Sequence, residues 1–125
     1  MEYIYERLEA WQHSVEFANH VIGLLGEGTT GREKTDIIER AEASSANIAV
    51  TIARAKCSIT KDDAIKQLYL SRRSLYETMT LLEIFRRVGW ISNDQFAGVK
   101  IGSRKIASSL VTMMRLIGEP LRKGG

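Results

Sequence analysis

The chain opens with Ile4, Leu8, Trp11, Val15, Ala18, Ile22 and Leu25 at alternating spacings of four and three. On a helix that spacing draws a narrow a/d seam instead of a broad apolar face. "GEGTTG", residues 26 to 31, ends the pattern. A second helical pattern runs from about Glu33 to Lys56, with Ile37, Ala41, Ser44, Ile48, Ile52 and Ala55 inward. The third, from about Lys61 to Val88, follows "CSITKDD", where Thr60 is placed to cap the helix and Asp63 stands three residues on. Its seam is Ala64, Leu68, Ser71, Leu75, Thr78, Leu82 and Phe85. "VGWISND" then offers Gly89 as a stop and Ser92 or Asn93 as the next N-cap. The fourth seam is Phe96, Val99, Ser103, Ile106, Leu110, Met113 and Ile117.

Four helices of similar length joined by short turns predict an all-α, antiparallel up-down-up-down four-helix bundle, residues 1–125 forming a single domain. A 3.5-residue period is what left-handed bundle packing requires. The single proline is Pro120, so nothing in residues 1 to 119 interrupts a helix by removing an N–H donor.

Helix two carries little bulk. In "RAEASSANIAVTIARAK", residues 40 to 56, small residues lie around the helix and not along one stripe, so backbones can approach on more than one side. This helix is expected to be the most enclosed. Asn47, beside Ile48, then needs a partner on another helix or at a subunit contact, unless it points to solvent.

Two helices hold more apolar surface than one seam uses. Helix one has a second register of Tyr3, Ala10, Phe17, Val21 and Leu24, and helix three has Ile65, Tyr69, Tyr76 and Met79 about 100° from its core face. Phe17, Val21, Leu24, Ile65, Tyr69 and Tyr76 are therefore the candidate oligomer interface, and a wider intramolecular core is the other use for them.

Charge adds a second theme. The net charge is only +3, but residues 1 to 27 hold five acidic and one basic residue, whereas residues 93 to 125 hold six basic and two acidic. At 100° per residue Lys100, Arg104, Arg115 and Arg122 fall within about 60° on helix four, as do Lys66, Arg73 and Arg87 on helix three. Such stripes can neutralise phosphates without reading sequence; a solvated charged face is the alternative.

Enzyme chemistry finds little support. Glu9, His13, Glu16 and His20 recur at four, three and four, but on a face nearly opposite Trp11 and Val15, and the chain has no Glu-x-x-His pair. There is no Gly-x-Ser-x-Gly elbow or P-loop. A lone cysteine, Cys57, excludes an intramolecular disulfide, and no cofactor is implied. With no leader and no membrane-length apolar run, the chain reads as soluble and cytoplasmic.

Three segments in register carry a family resemblance. "SANIA", residues 45 to 49, resembles the "PANIAEG" signature of bacterial four-helix-bundle proteins encoded within intervening sequences of large-subunit ribosomal RNA genes. "YERLEAWQHSVEFA", residues 5 to 18, is similar to that family's opening aromatic, Leu and Trp-Gln pattern, and "LYLSRRSLYE", residues 68 to 77, to its "LxxARGSLxE" segment. Ser45, Val50, Thr51 and Arg73 depart from the pattern, as in a divergent branch. The same fold occurs in the accessory variability determinant of diversity-generating retroelements, a homopentamer that binds nucleic acid and a reverse transcriptase. The resemblance thus implies a non-enzymatic homo-oligomer, a pentamer, with RNA or DNA and a reverse transcriptase as candidate partners. A protein-binding scaffold without nucleic-acid contact is the alternative.

Overall fold

The structure, a computed structural model, describes residues 2–28 and 35–118. It contains four helices: α1, Glu9–Gly28; α2, Asp36–Cys57; α3, Lys61–Arg87; and α4, Asn93–Ile117. Each helix touches its neighbours, α1 with α2 and α4, and α3 with α2 and α4, while the diagonal pairs stay apart. That is the expected square, antiparallel bundle.

Helix starts follow the capping residues. Thr35 caps α2, accepting a bond from the Ile38 N–H, and Thr60 caps α3 by accepting from Asp63. At α4, Ser92 Oγ accepts from the Gln95 N–H at 3.0 Å while Gln95 Oε1 accepts from the Ser92 N–H at 2.8 Å, a reciprocal box that satisfies two backbone donors. Between α3 and α4, Gly89 takes φ +84°, a left-handed conformation glycine adopts without Cβ strain. The Phe85 carbonyl accepts from the Trp90 N–H at 2.8 Å, which folds the Trp90 ring onto Phe85.

The α3 seam enters the core as read, every member buried from Ala64 to Phe85. On α4, Val99, Ser103, Ile106 and Leu110 are buried, joined by Met114, with Met113 half-buried. On α2, Ala41, Ser44, Ile48, Ile52 and Ala55 are buried as read, and only at the first position does Ile38 take the inward place in front of an exposed Ile37.

Helix one required the largest correction. It begins at Glu9, so Ile4 and Leu8 precede it, and Ile4, Val15 and Ile22 are exposed. The buried face is instead Ala10, Ser14, Phe17, Ala18, Val21 and Leu25. The cause lies on α4, where Gly102 opens space for the Phe17 ring; a Cβ built there would stand 3.2 Å from Phe17 Cδ1. Phe17 and Val21 thus belong to this chain's own core and cannot form an oligomer interface. Ile65 is likewise buried within the chain, so the same correction applies to it.

The contacts of α2 answer why it is built from small residues. Ser71 Oγ on α3 donates to the Ile48 carbonyl of α2 at 3.0 Å, a side-chain bond straight into a neighbouring helix backbone. Ser44 and Thr78 hydroxyls meet at 2.7 Å, and Asn47 Nδ2 donates to Ser74 Oγ at 2.8 Å. Large side chains in this seam would hold the helices too far apart for these bonds. Asn47 therefore has its partner on another helix.

Candidate nucleic-acid interface

Residues from both expected basic stripes meet between α3 and α4. A groove of about 540 Å³ is floored by Leu75, Met79 and Phe96, with Tyr76 exposed beside it and Arg87, Lys100 and Arg104 on its rim. Lys100 and Arg104 lie one turn apart on α4, so both reach the same stretch of groove. The Phe96 ring takes the Arg86 guanidinium at 5.6 Å and the Lys100 ammonium at 5.9 Å; Lys100 lines the groove, while Arg86 is held by Glu83 and Asn93.

One acidic side chain tempers this charge. Glu83 Oε2 accepts from Arg86 Nε at 2.6 Å, and Glu83 Oε1 lies 3.7 Å from Arg87. The Arg86 hydrogen bond, reinforced by the nearby charges of Arg86, Arg87 and Lys100, holds the Glu83 carboxyl below the usual carboxylate range. The same bond raises Arg86. Among the described residues neither Lys100 nor Arg104 forms an ion pair, although Glu83 in the same groove lies close enough to feel the Lys100 charge.

The other expected cations are distributed differently. Arg115 is exposed further along α4, and Arg122 lies outside the described residues. On α3, Arg73 lines a separate groove against α2, while Arg87 leans toward α4. They are two heptads apart, and a straight helix drifts about 20° per heptad, enough to turn one stripe from the first groove to the second. Lys66, one heptad before Arg73, is exposed.

Sequence reasoning missed Arg40 and Arg54 of α2, which line the groove holding Arg73. Their signal was present: Arg40, Asn47 and Arg54 recur every seven residues and so share a face.

Of the remaining interface candidates, Leu24 is half-buried against the core, and Tyr69 and Tyr76 are exposed. The Arg72 guanidinium stands 4.9 Å over the Tyr69 ring. A different apolar surface appears between α1 and α2, where Trp11, Val15, Val50 and Ala53 line an open groove. Val15 and Val50 are 40% and 45% exposed, as much as many polar residues, so none of the described residues covers this face.

The Glu9, His13, Glu16, His20 row divides. His13 is half-buried, its Nδ1 3.2 Å from Ser109 Oγ on α4, while the other three are exposed. Among the described residues no group of His, Cys, Asp or Glu could hold a metal ion, and no helix is long and apolar enough to cross a membrane.

The bundle and its cation-rimmed grooves define a helical protein with surfaces suited to binding. Comparison with known families is more specific. The pattern of the family described as 23S rRNA-intervening sequence protein matches residues 6–112, and the chain belongs to that family. A solved structure of a protein of unknown function from the S23 ribosomal protein family of Bacteroides thetaiotaomicron has the same fold, with a TM-score of 0.78 over 85% of this chain and 98% of the other at 21% identity. No curated protein matches the chain.

Proposed function

We propose that this one-domain protein is a non-enzymatic, cytoplasmic homo-oligomer that binds RNA or DNA through its basic grooves. The observation that carries the reading is the convergence of Arg87, Lys100 and Arg104 on one groove with an aromatic side chain at its edge. Cations of this kind displace condensed counterions from phosphates, and Tyr76 offers a ring on which a base can stack. Membership of a family named for ribosomal RNA intervening sequences agrees with an RNA setting.

Assembly is part of the same proposal. The exposed apolar groove between α1 and α2 lies on the opposite side of the bundle from the basic α3–α4 groove, so a neighbouring copy can seat on the first and leave the second open to nucleic acid. A closed ring forms when this face of one copy meets a different surface of the next, head-to-tail, and the rotation permits closure. A pentamer is the ring size that the family resemblance suggests, and a reverse transcriptase is the protein partner suggested by the retroelement branch.

A salt series separates this reading from a scaffold that binds only protein. Labelled RNA and DNA should bind with an affinity that falls steeply and linearly on logarithmic axes as salt rises. Absence of binding at 50 mM salt would leave the scaffold as the function.

A further inference from the structure

The groove between α2 and α3 has a chemistry unlike that of its neighbours. Its lining is mixed, with Ser44, Asn47, Thr51 and Ser74 beside Ala43 and Leu70, and it carries Arg54 and Arg73. Arg40 closes one end in a 3.4 Å pair with Glu77. Arg54 and Arg73 are both exposed, and among the described residues neither has an acidic partner. Lys66 extends the line, seven residues before Arg73 on the same face.

The lining keeps unused hydrogen-bonding capacity. Asn47 donates one N–H to Ser74 Oγ, which leaves its second N–H available. The Ser74 hydroxyl accepts that bond and, among the described residues, gives its own hydrogen to no acceptor. Two cations above two neutral donors match a phosphate, which takes charge from the side and hydrogen bonds from below. No aromatic ring lines this groove, so it offers nothing on which a base can stack.

We propose that the α2–α3 groove is a second nucleic-acid site, a track that holds the sugar-phosphate backbone of a single strand irrespective of its bases. This inference rests on the nucleic-acid reading above and assigns the strand a path that the α3–α4 groove does not share. Arg54 and Arg73 supply the charge, and Asn47 and Ser74 orient the phosphate between them.

The test uses the full chain with fluorescein-labelled single-stranded RNA and DNA, each in a uridine- or thymidine-rich and an adenine-rich version, followed by anisotropy across a salt series. The double variant Arg54→Gln, Arg73→Gln removes two phosphate contacts from exposed positions. For single strands, each contact contributes about 0.7 to the slope of log affinity against log salt, so the slope should flatten by about 1.4. The parent-to-variant affinity ratio should then shrink about sevenfold between 50 and 200 mM salt, equally for both base compositions. Asn47→Asp, which can accept a bond from Ser74 while placing a negative charge in the groove, should also weaken binding; helicity and oligomer size serve as folding checks.

If the parent binds with a steep slope and the Arg54, Arg73 variant keeps that slope, the track is refuted and the nucleic-acid reading stands. If the parent binds neither probe, both fall together. A loss confined to one base composition would refute the backbone assignment, and equally tight, Arg54- and Arg73-dependent binding of polyglutamate would show that the groove takes an acidic polypeptide instead.

Discussion

Replacing Ser71 tests whether small residues set the separation of α2 and α3. Its side chain is fully buried, and its hydroxyl bonds to the Ile48 carbonyl across the helix interface. Ser71→Ala deletes one hydrogen bond, typically about 0.5 to 1.5 kcal/mol. The cost should fall at the low end, because the Ile48 carbonyl also accepts from Thr51 Oγ1 at 3.1 Å and is not stranded. Ser71→Leu deletes the same bond and drives a branched side chain toward a backbone only one hydrogen-bond length away. With that bond at about 0.5 kcal/mol and overpacking adding about 1 to 3 kcal/mol, the total is roughly 1.5 to 3.5 kcal/mol. With a urea slope of about 2 kcal/mol per molar, Ser71→Ala lowers the midpoint by about 0.3 M and Ser71→Leu by about 0.8 to 1.8 M. Far-UV circular dichroism at one fixed protein concentration measures both, since an oligomer's apparent stability varies with concentration. If Ser71→Leu unfolds at or above the midpoint of Ser71→Ala, the interface has room to spare and the close approach of α2 to α3 has been misassigned.

Ser92→Ala removes the side-chain half of the α4 capping box and should cost about 1 kcal/mol in thermal or urea unfolding, with helix content otherwise kept. Val50→Glu places a charge on the uncovered α1–α2 face and should reduce oligomer size by light scattering while leaving the monomer helical; unchanged size would exclude this face from assembly. Glu83→Gln frees Arg86 and Arg87 and should tighten nucleic-acid binding at neutral pH, read by anisotropy. Because the folded carboxyl titrates below its unfolded value, the Glu83 contribution to stability is complete above the unfolded pKa and is lost as pH falls through the folded one, so Glu83→Gln should also flatten the acid limb of the stability profile.

The bundle was legible because its seams are regular. Helix three has large and small inward residues at unbroken three-four spacing, and its boundary residues Thr60, Gly89 and Ser92 announce themselves by chemistry. Helix one misled because two apolar registers compete on it, and the choice is made elsewhere. Gly102 on α4 admits the face bearing Phe17, information that a helix read alone does not contain. That choice moved Phe17 and Val21 from a supposed interface to the core and left Val15 and Ile22 outside.

The basic residues were legible as stripes but not as grooves. Lys100 and Arg104 share a face by spacing alone, whereas their meeting with Arg87 depends on which side of α3 packs against α4. Arg54 shares a face with Arg40 and Asn47 by spacing, but its closeness to Arg73 is a property of two antiparallel helices and not of either sequence segment.

The most direct measurement is the salt dependence of RNA and DNA binding by the double variant Lys100→Glu, Arg104→Glu. Its control, Lys56→Glu, Lys61→Glu, makes the same change in net charge at the α2–α3 turn, with Lys61 about 20 Å along α3 from the nearest groove residue, Leu75. The groove variant should lose affinity at every salt concentration and show a slope flatter by at least about 1.4, the share of two phosphate contacts on a single strand, while the control keeps most of the parent slope. If the groove variant remains folded and oligomeric and binds as the parent does across the whole salt series, or if the control loses as much, the α3–α4 groove is ordinary solvated surface.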